Sequence, residues 1–168
     1  MDLAIRDAGS ADAEAIARIY VESWNQGFGP LMPPRILDAA QIGRWHNDLG
    51  EGSVNWRVAV QHEVIVGFAG TGPSRDPVDP TLGELDTIAV EPGHWRTGIG
   101  RRLMADALEQ MTQDGYRSAI LWTLADYAQA RNFYQDSGWR ADGSTRDDGR
   151  QVAFRHPLGL RQHSSPSF

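Results

Sequence analysis

The segment from Gly83 to Leu103 constrains the fold of this chain more than any other part of the sequence. The residues from Glu84 to Val90 predict a β-strand, and the glutamate, proline and glycine that follow predict a turn. From Ile99 onward, apolar residues at three- and four-residue spacing predict an amphipathic helix. A strand that leads through a glycine-bearing turn into a helix is typical of α/β proteins.

The same reasoning predicts further strands and helices on both sides of this segment. Strands are predicted at Leu3–Asp7, Trp56–Gln61, Glu63–Thr71, Ser118–Leu124, Trp139–Asp142 and Gln151–Arg155, with a loop at Gly72–Thr81. Helices are predicted from Ser10 to Gly27, after Pro33 and Pro34, at Gly98–Gln113 and at Tyr127–Asp136. In the second helix the predicted inner residues are Ile36, Leu37, Ala40, Trp45 and Leu49. The order of these elements is that of a mixed α/β protein.

Length and composition limit the number of domains and the kinds of segment that the chain can contain. A chain of 168 residues has room for one ordinary domain, predicted at 1–158, with a disordered tail at 159–168 that carries serines and a proline. No segment has the length and apolarity of a membrane span or a secretory signal, which predicts a cytoplasmic protein without a membrane partner. We expect a monomer or a homodimer.

The charge and the missing residue types exclude several functions. There is no cysteine, so disulfides, thiolate metal sites and cysteine nucleophiles are excluded. The formal net charge is −6, and all 16 basic residues are arginines. A bulk positive field for nucleic acid is therefore absent, and nucleic acid is not an expected partner. The lysine-free composition resembles the coding bias of a GC-rich genome. We expect a bacterial protein.

The start of the helix near Gly98 is a candidate anion site. A helix start presents unpaired amide groups and the positive end of the helix dipole, which suit a pyrophosphate. Gly98 and Gly100 let a phosphate approach the backbone, and Arg96, Arg101 and Arg102 can add charged hydrogen bonds. A tight turn with surface arginines is the alternative. The dinucleotide and phosphate-loop glycine patterns both fail here, because position 103 is leucine and the chain has no lysine.

These residues resemble the central motif of the GNAT superfamily of N-acetyltransferases, Gln/Arg-x-x-Gly-x-Gly/Ala after a strand that ends in Val-x-Pro. Val90 and Pro92 match the strand end, Gly98 and Gly100 match the glycines, and Trp95 stands in the Gln/Arg place. A second family pattern, Asn-x-x-Ala-x-x-Phe-Tyr-x-x-x-Gly-Phe, is similar to Tyr127, Ala130, Phe133, Tyr134, Gly138 and Trp139. Tyr127 replaces the asparagine of that pattern. The resemblance covers roughly residues 3–157.

The resemblance implies a mixed, mostly antiparallel sheet of six to seven strands, flanked by about four helices and open beside Val90. It implies an enzyme that passes the acetyl group of acetyl-CoA directly to a primary amine of a small molecule or peptide. The strand residues Ile88, Ala89 and Val90 would pair with the pantetheine arm. The implied contacts to the rest of the cofactor come from Trp95, Arg96, Thr97, Gly98, Ile99, Gly100 and Arg101 at the pyrophosphate, and from Tyr127 and Tyr134.

Direct transfer also needs proton acceptors and donors. An alkylamine has a pKa near 10, so a base must take its proton, and Glu84 is the first candidate and Asp86 the second. Strand alternation places both carboxylates on one face, and exposure to solvent or pairing with arginine is the alternative for at least one of them. The resemblance implies that the amide of Ile88 or of its neighbour is the oxyanion donor. The resemblance gives Tyr134 the role of acid toward the CoA thiolate, and core packing is its alternative.

Other candidates carry less weight. Trp24 and Phe28, with Asp86, are candidates for the acceptor pocket, although packing also explains the aromatic residues. The five histidines show no ligand spacing, so no metal is expected. No Gly-x-Ser-x-Gly element exists, which argues against a serine hydrolase. A non-catalytic acyl-CoA-binding sensor or interaction module remains the alternative function, because Trp95 and Tyr127 depart from the family patterns.

Overall fold

A computed structural model of the chain describes residues 2–75 and 79–159. The bounds are β1 Leu3–Asp7, α1 Ala13–Phe28, α2 Ala39–Gly50, β2 Asn55–Gln61, β3 Val64–Pro73, β4 Leu82–Val90, α3 Ile99–Gln113, β5 Ser118–Leu124, α4 Ala128–Asp136, β6 Arg140–Arg146 and β7 Gln151–Pro157. The predicted tail, apart from Gly159, and part of the predicted loop at Gly72–Thr81 lie outside the described residues. None of the described helices is long and apolar enough to cross a membrane.

The strands form a seven-stranded sheet in the order β1-β2-β3-β4-β5-β7-β6. β1 pairs antiparallel with β2, and β7 pairs antiparallel with both β5 and β6. β4 and β5 run parallel, and their ladder extends from Leu82 opposite Ser118 to Glu84 opposite Ile120. The predicted mixed, mostly antiparallel sheet with about four helices is therefore confirmed. Its opening beside Val90 stays a prediction.

The described residues divide into two compact units. The first comprises residues 2–70 and 87–106, and the second comprises residues 71–75, 79–86 and 107–159. The strand β4 thus contributes its first half, up to Asp86, to the second unit and its last four residues, from Thr87, to the first. The single domain expected at residues 1–158 stays a prediction.

The core of the first unit forms because α1 buries one apolar stripe. Ile16 and Ile19 are fully buried, and they belong to one cluster with Trp45, Trp56 and Phe68. The strand β3 carries glycine where its neighbours come close. A Cβ on Gly70 would fall inside the van der Waals distance of the Trp56 ring, and a Cβ on Gly67 would lie 3.0 Å from the carbonyl oxygen of Ala89.

The second unit has its own smaller core. Leu82, Ile120 and Ala153 are buried together, and the half-buried Trp122 packs against them. Gly83 gives room to an aromatic ring, since a Cβ there would lie 2.9 Å from Cδ2 of Tyr116. The four residues of this cluster belong to β4, β5 and β7. Strand pairing and side-chain burial therefore both stabilise the second unit.

The start of α2 differs from the prediction. The helix begins after Asp38, whose carboxylate accepts a hydrogen bond of 2.9 Å from the Gln41 amide and caps the helix. The predicted inner positions Ile36 and Leu37 therefore precede the helix and are 72% and 41% exposed, and Ala40 is exposed as well. Trp45 is buried as predicted.

Two other predicted boundaries are also wrong. The first long helix begins at Ala13 rather than Ser10, after a turn of 3-10 helix at Ser10–Asp12 in which the Asp12 carboxylate accepts the Gly9 amide at 2.9 Å. The strand predicted at Trp139–Asp142 begins at Arg140 and continues to Arg146.

Candidate active site

The turn between β4 and α3 carries the candidate anion site. Pro92–His94 form a turn of 3-10 helix, and Gly98 has a φ of 95° immediately before α3. Arg96 has a φ of 65°, in the left-handed region, where a non-glycine residue costs about 1 kcal/mol or more. The first helical hydrogen bond runs from the Arg102 amide to the Gly98 carbonyl at 3.2 Å, so the amides ahead of it lack helical partners.

Three arginines lie close to this helix start in the sequence. Arg96, Arg101 and Arg102 are all exposed, and none forms an ion pair with another residue in the described ranges. Their charges are therefore available to an anion in a chain whose net charge is −6. The amides and the arginines fit a pyrophosphate, although contact with a cofactor stays a prediction for these residues.

The side chain of Trp95 forms a contact that the sequence did not predict. Its indole N–H donates a hydrogen bond of 2.6 Å to the carbonyl of Val90, the last residue of β4. Ile88, Ala89 and Val90 are all half-buried, as is Trp95 itself. The side chain in the family's Gln/Arg place thus binds one of the backbone groups that were expected to pair with a pantetheine arm.

The two candidate bases, Glu84 and Asp86, both contact Arg75. This shared contact agrees with the prediction that they lie on one face of β4. The Arg75 amide donates to Oε1 of Glu84 at 3.1 Å, and Nε of Arg75 lies 3.7 Å from Oε2. A terminal guanidinium nitrogen of Arg75 contacts the carboxylate of Asp86. The Glu84 side chain is 7% exposed and that of Asp86 is 23% exposed. The arginine pairing that the sequence left open is present at both carboxylates.

Tyr134 is held in an environment that keeps its hydroxyl protonated. Burial is the main cause that raises the pKa of Tyr134 above its ordinary value of 10.0, and the nearby Tyr127 raises it further. Burial also raises the pKa of Tyr127. The Tyr134 ring packs beside Phe133 and Phe154, at centroid distances of 5.6 Å and 6.1 Å. The residue is therefore packed against a core and is also a neutral proton donor at neutral pH.

Trp24 and Phe28 belong to an aromatic group at the end of α1. Their rings meet edge to face with centroids 4.6 Å apart, and the Trp24 indole N–H donates to the Pro33 carbonyl at 3.2 Å. The guanidinium carbon of Arg35 lies 3.8 Å from the Trp24 ring centroid. Packing accounts for Phe28, whereas Trp24 also presents a ring face to a cation.

Sequence reasoning missed two functional candidates, Arg75 and Arg35. Both lie in connections without helical or strand spacing, so no pattern in the sequence marks them. The only signal was chemical: a buried carboxylate such as Glu84 requires a charged or hydrogen-bonded partner. Within residues 2–75 and 79–159, no three histidine, aspartate or glutamate side chains are grouped so that they could hold a metal ion.

Comparison with known proteins identifies the family. Residues 13–139 match the family model of the acetyltransferase (GNAT) family. The uncharacterized N-acetyltransferase YuaI of Bacillus subtilis is 28% identical over 122 residues, which are 71% of this chain and 70% of that protein. The chain therefore belongs to the GNAT family, and it is an acyltransferase.

Solved structures agree with this fold. The PaiA N-acetyltransferase from Thermoplasma acidophilum, in complex with coenzyme A, superposes with a TM-score of 0.73 at 16% identity and covers 94% of this chain and 100% of its own. A GCN5-related N-acetyltransferase from Kribbella flavida superposes with a TM-score of 0.76 at 20% identity, over 94% and 98% of the two chains. At these identities the likeness establishes the fold alone.

Proposed function

We propose that the chain transfers the acetyl group of acetyl-CoA to a primary amine of a small molecule or peptide. The observation that carries this proposal is the turn from Trp95 to Arg101, where glycine at positive φ, free helix amides and unpaired arginines occur together. The coenzyme A bound to the structurally similar PaiA N-acetyltransferase supports the choice of donor.

The proposed donor contacts divide between backbone and side chains. Residues 95–101 hold the pyrophosphate, and the backbone of Ile88, Ala89 and Val90 pairs with the pantetheine arm in the manner of an added strand. The Trp95 indole already donates to the Val90 carbonyl, so an amide of the pantetheine arm that pairs there competes with the indole or shares the oxygen with it. Tyr127 is proposed to contact the arm.

The proposed chemistry forms one C–N bond and breaks one C–S bond. The neutral amine attacks the thioester carbonyl, the Ile88 amide stabilises the oxyanion, and the tetrahedral intermediate collapses with loss of the CoA thiolate. Glu84 accepts the proton from the amine, with Asp86 as the second candidate, and the Tyr134 hydroxyl protonates the thiolate. The raised pKa of Tyr134 keeps this hydroxyl protonated at neutral pH, so it is present there as a hydrogen-bond donor to the departing thiolate.

The deciding experiment measures free CoA thiol released from acetyl-CoA in the presence of a panel of primary amines. We expect release that depends on both the protein and the amine. Binding of acetyl-CoA without thiol release from any amine would contradict the proposal and favour a non-catalytic acyl-CoA-binding module.

The role of Glu84 is tested by Glu84→Gln. We expect kcat at pH 7 to fall by about 10- to 100-fold, because the amine then loses its base. The deficit should shrink as the pH rises toward the amine's own pKa of about 10, where the neutral amine no longer requires one. Asp86→Asn is the matched control, and a larger loss in that variant would transfer the role to Asp86.

A further inference from the structure

Arg35 lies in the connection between α1 and α2, and its backbone is fixed independently of its side chain. The Asn25 side chain binds it twice: Oδ1 accepts from the Arg35 amide at 2.7 Å, and Nδ2 donates to the Arg35 carbonyl at 3.0 Å. This pairing mimics that of a neighbouring strand. The position of Arg35 is therefore set by Asn25, so a change in the Arg35 side chain leaves the connection in place.

The guanidinium of Arg35 is held against aromatic faces. Its central carbon lies 3.8 Å from the ring centroid of Trp24 and 5.1 Å from that of Tyr20. Cation–π contacts with two rings restrain the position of the guanidinium.

The charge on Arg35 has no counterion among the residues that the structure describes. Among residues 2–75 and 79–159 no carboxylate lies within ion-pair distance of Arg35, whereas Arg18, Arg57 and Arg75 each have at least one such partner. The Nε–H of Arg35 is buried and has no hydrogen-bond partner in the described ranges. Because Nε is buried and Arg35 as a whole is only half-buried, an anion from outside the chain would bind the terminal amino groups of the guanidinium rather than Nε.

The aromatic contacts connect Arg35 to β4. Tyr20, which lies beneath the guanidinium, packs edge to face on Trp45 at 5.5 Å, and Trp45 packs on Phe68 at 5.3 Å. Ala89, the neighbour of the proposed oxyanion donor Ile88, packs in the same cluster. Arg35 is thus fixed to the same packed group as the strand end that is proposed to hold the thioester.

We propose that Arg35 binds an anionic group, a carboxylate or a phosphate, on the amine acceptor. This inference rests on the proposed acetyl transfer and specifies its acceptor as an amine that also carries a negative charge.

The test compares acceptors that differ only in the group far from the amine. The set is 5-aminopentanoate, 5-aminopentanamide and 4-aminobutyl phosphate, each with four methylene groups between the amine and the distal group, together with shorter and longer homologues, so that the amine pKa changes little within each length. We expect kcat/KM for one of the two anions to exceed that of the amide by about 10- to 100-fold. Whichever anion is preferred identifies the group.

Arg35→Gln should remove that preference and leave the neutral amide unchanged. Arg35→Lys should restore part of it, because the charge returns without the planar fork. Arg44→Gln is the matched control, because it removes one exposed positive charge from α2. Equal use of anions and amides at every chain length, or an unchanged preference in Arg35→Gln, would overturn the proposal.

A binding measurement separates this inference from the proposed reaction. The indole N–H resonance of Trp24, assigned with Trp24→Phe, is followed by NMR during titration with the N-acetylated forms of the anion and the amide. A shift with the anion alone, lost in Arg35→Gln, supports the anion site even when no amine releases thiol, in which case acetyl transfer is the part that fails. Thiol release without any anion-specific shift or preference overturns the anion site and leaves acetyl transfer intact.

Discussion

At the scale of single residues, Trp95 has the clearest consequence for donor binding. Its indole N–H occupies the carbonyl of Val90, whereas the family pattern has glutamine or arginine in that place. Trp95→Gln frees the carbonyl and supplies a polar side chain near the phosphates. We expect the dissociation constant for CoA, measured by calorimetry, to fall by about 2- to 10-fold, the value of one ordinary hydrogen bond.

Trp95→Phe is the control for this prediction. It keeps an aromatic ring and removes only the N–H donor, so it separates release of the Val90 carbonyl from the effect of the new side chain. Weaker CoA binding in both variants would mean that the indole itself contacts the donor, and the proposed release of the carbonyl would then be wrong.

Tyr134 yields a prediction about turnover and pH. Tyr134→Phe should lower kcat by about 10- to 100-fold, with a smaller effect on the KM for acetyl-CoA. Because the pKa of Tyr134 is raised above 10.0, the wild-type hydroxyl stays protonated up to at least that pH. Loss of activity through its ionisation should therefore appear only above pH 10 in a profile of kcat.

Tyr127→Phe is the matched removal of a hydroxyl. It should alter donor affinity rather than kcat, because Tyr127 is proposed to contact the pantetheine arm. An unchanged kcat in Tyr134→Phe would assign Tyr134 to packing beside Phe133 and Phe154 alone.

At the scale of helices and strands, the packing of β3 against Trp56 requires glycine at position 70. A Cβ at Gly70 would overlap the Trp56 ring, which is itself buried in the core of the first unit. Gly70→Ala should therefore lower the free energy of unfolding by about 1–3 kcal/mol, measured by urea denaturation. Gly43→Ala in α2 is the control, since a Cβ there meets nothing within 4 Å and favours the helix.

Most elements could be predicted from the sequence because their side-chain spacing repeats. The stripe of Ile99, Leu103, Ala107 and Met111 is buried along α3 as its spacing predicts. The start of α2 could not be predicted from spacing, because Ile36 and Leu37 continue the apolar pattern outside the helix. Local hydrogen bonds decide that boundary: Asn25 holds Arg35, and Asp38 caps the helix.

The candidate site was predictable only where one residue type is required. Gly98 could be predicted because its positive φ in the structure is a conformation that favours glycine. The two carboxylates could be predicted because residues two apart in a strand lie on the same face. Arg75 and the indole of Trp95 reach their partners through long side chains across connections of variable shape. No sequence spacing records such contacts, and only the folded chain reveals them.

At the scale of the whole molecule, every positively charged side chain other than histidine is a guanidinium, because the chain contains no lysine. The enzyme therefore offers its own donor no ε-amino group. After incubation with acetyl-CoA at alkaline pH, intact mass spectrometry should show at most one added acetyl group, on the α-amino group. Several stable additions would contradict this expectation and point to acetylated hydroxyls.

The strand β4 carries both candidate bases and all three residues proposed to pair with the donor. Successive side chains of a strand face opposite sides, so one residue inserted after Asp86 would turn every later side chain to the other face. A change of one residue in the length of β4 would therefore displace the residues proposed to pair with the donor, whereas a substitution within the strand leaves the other side chains on their faces.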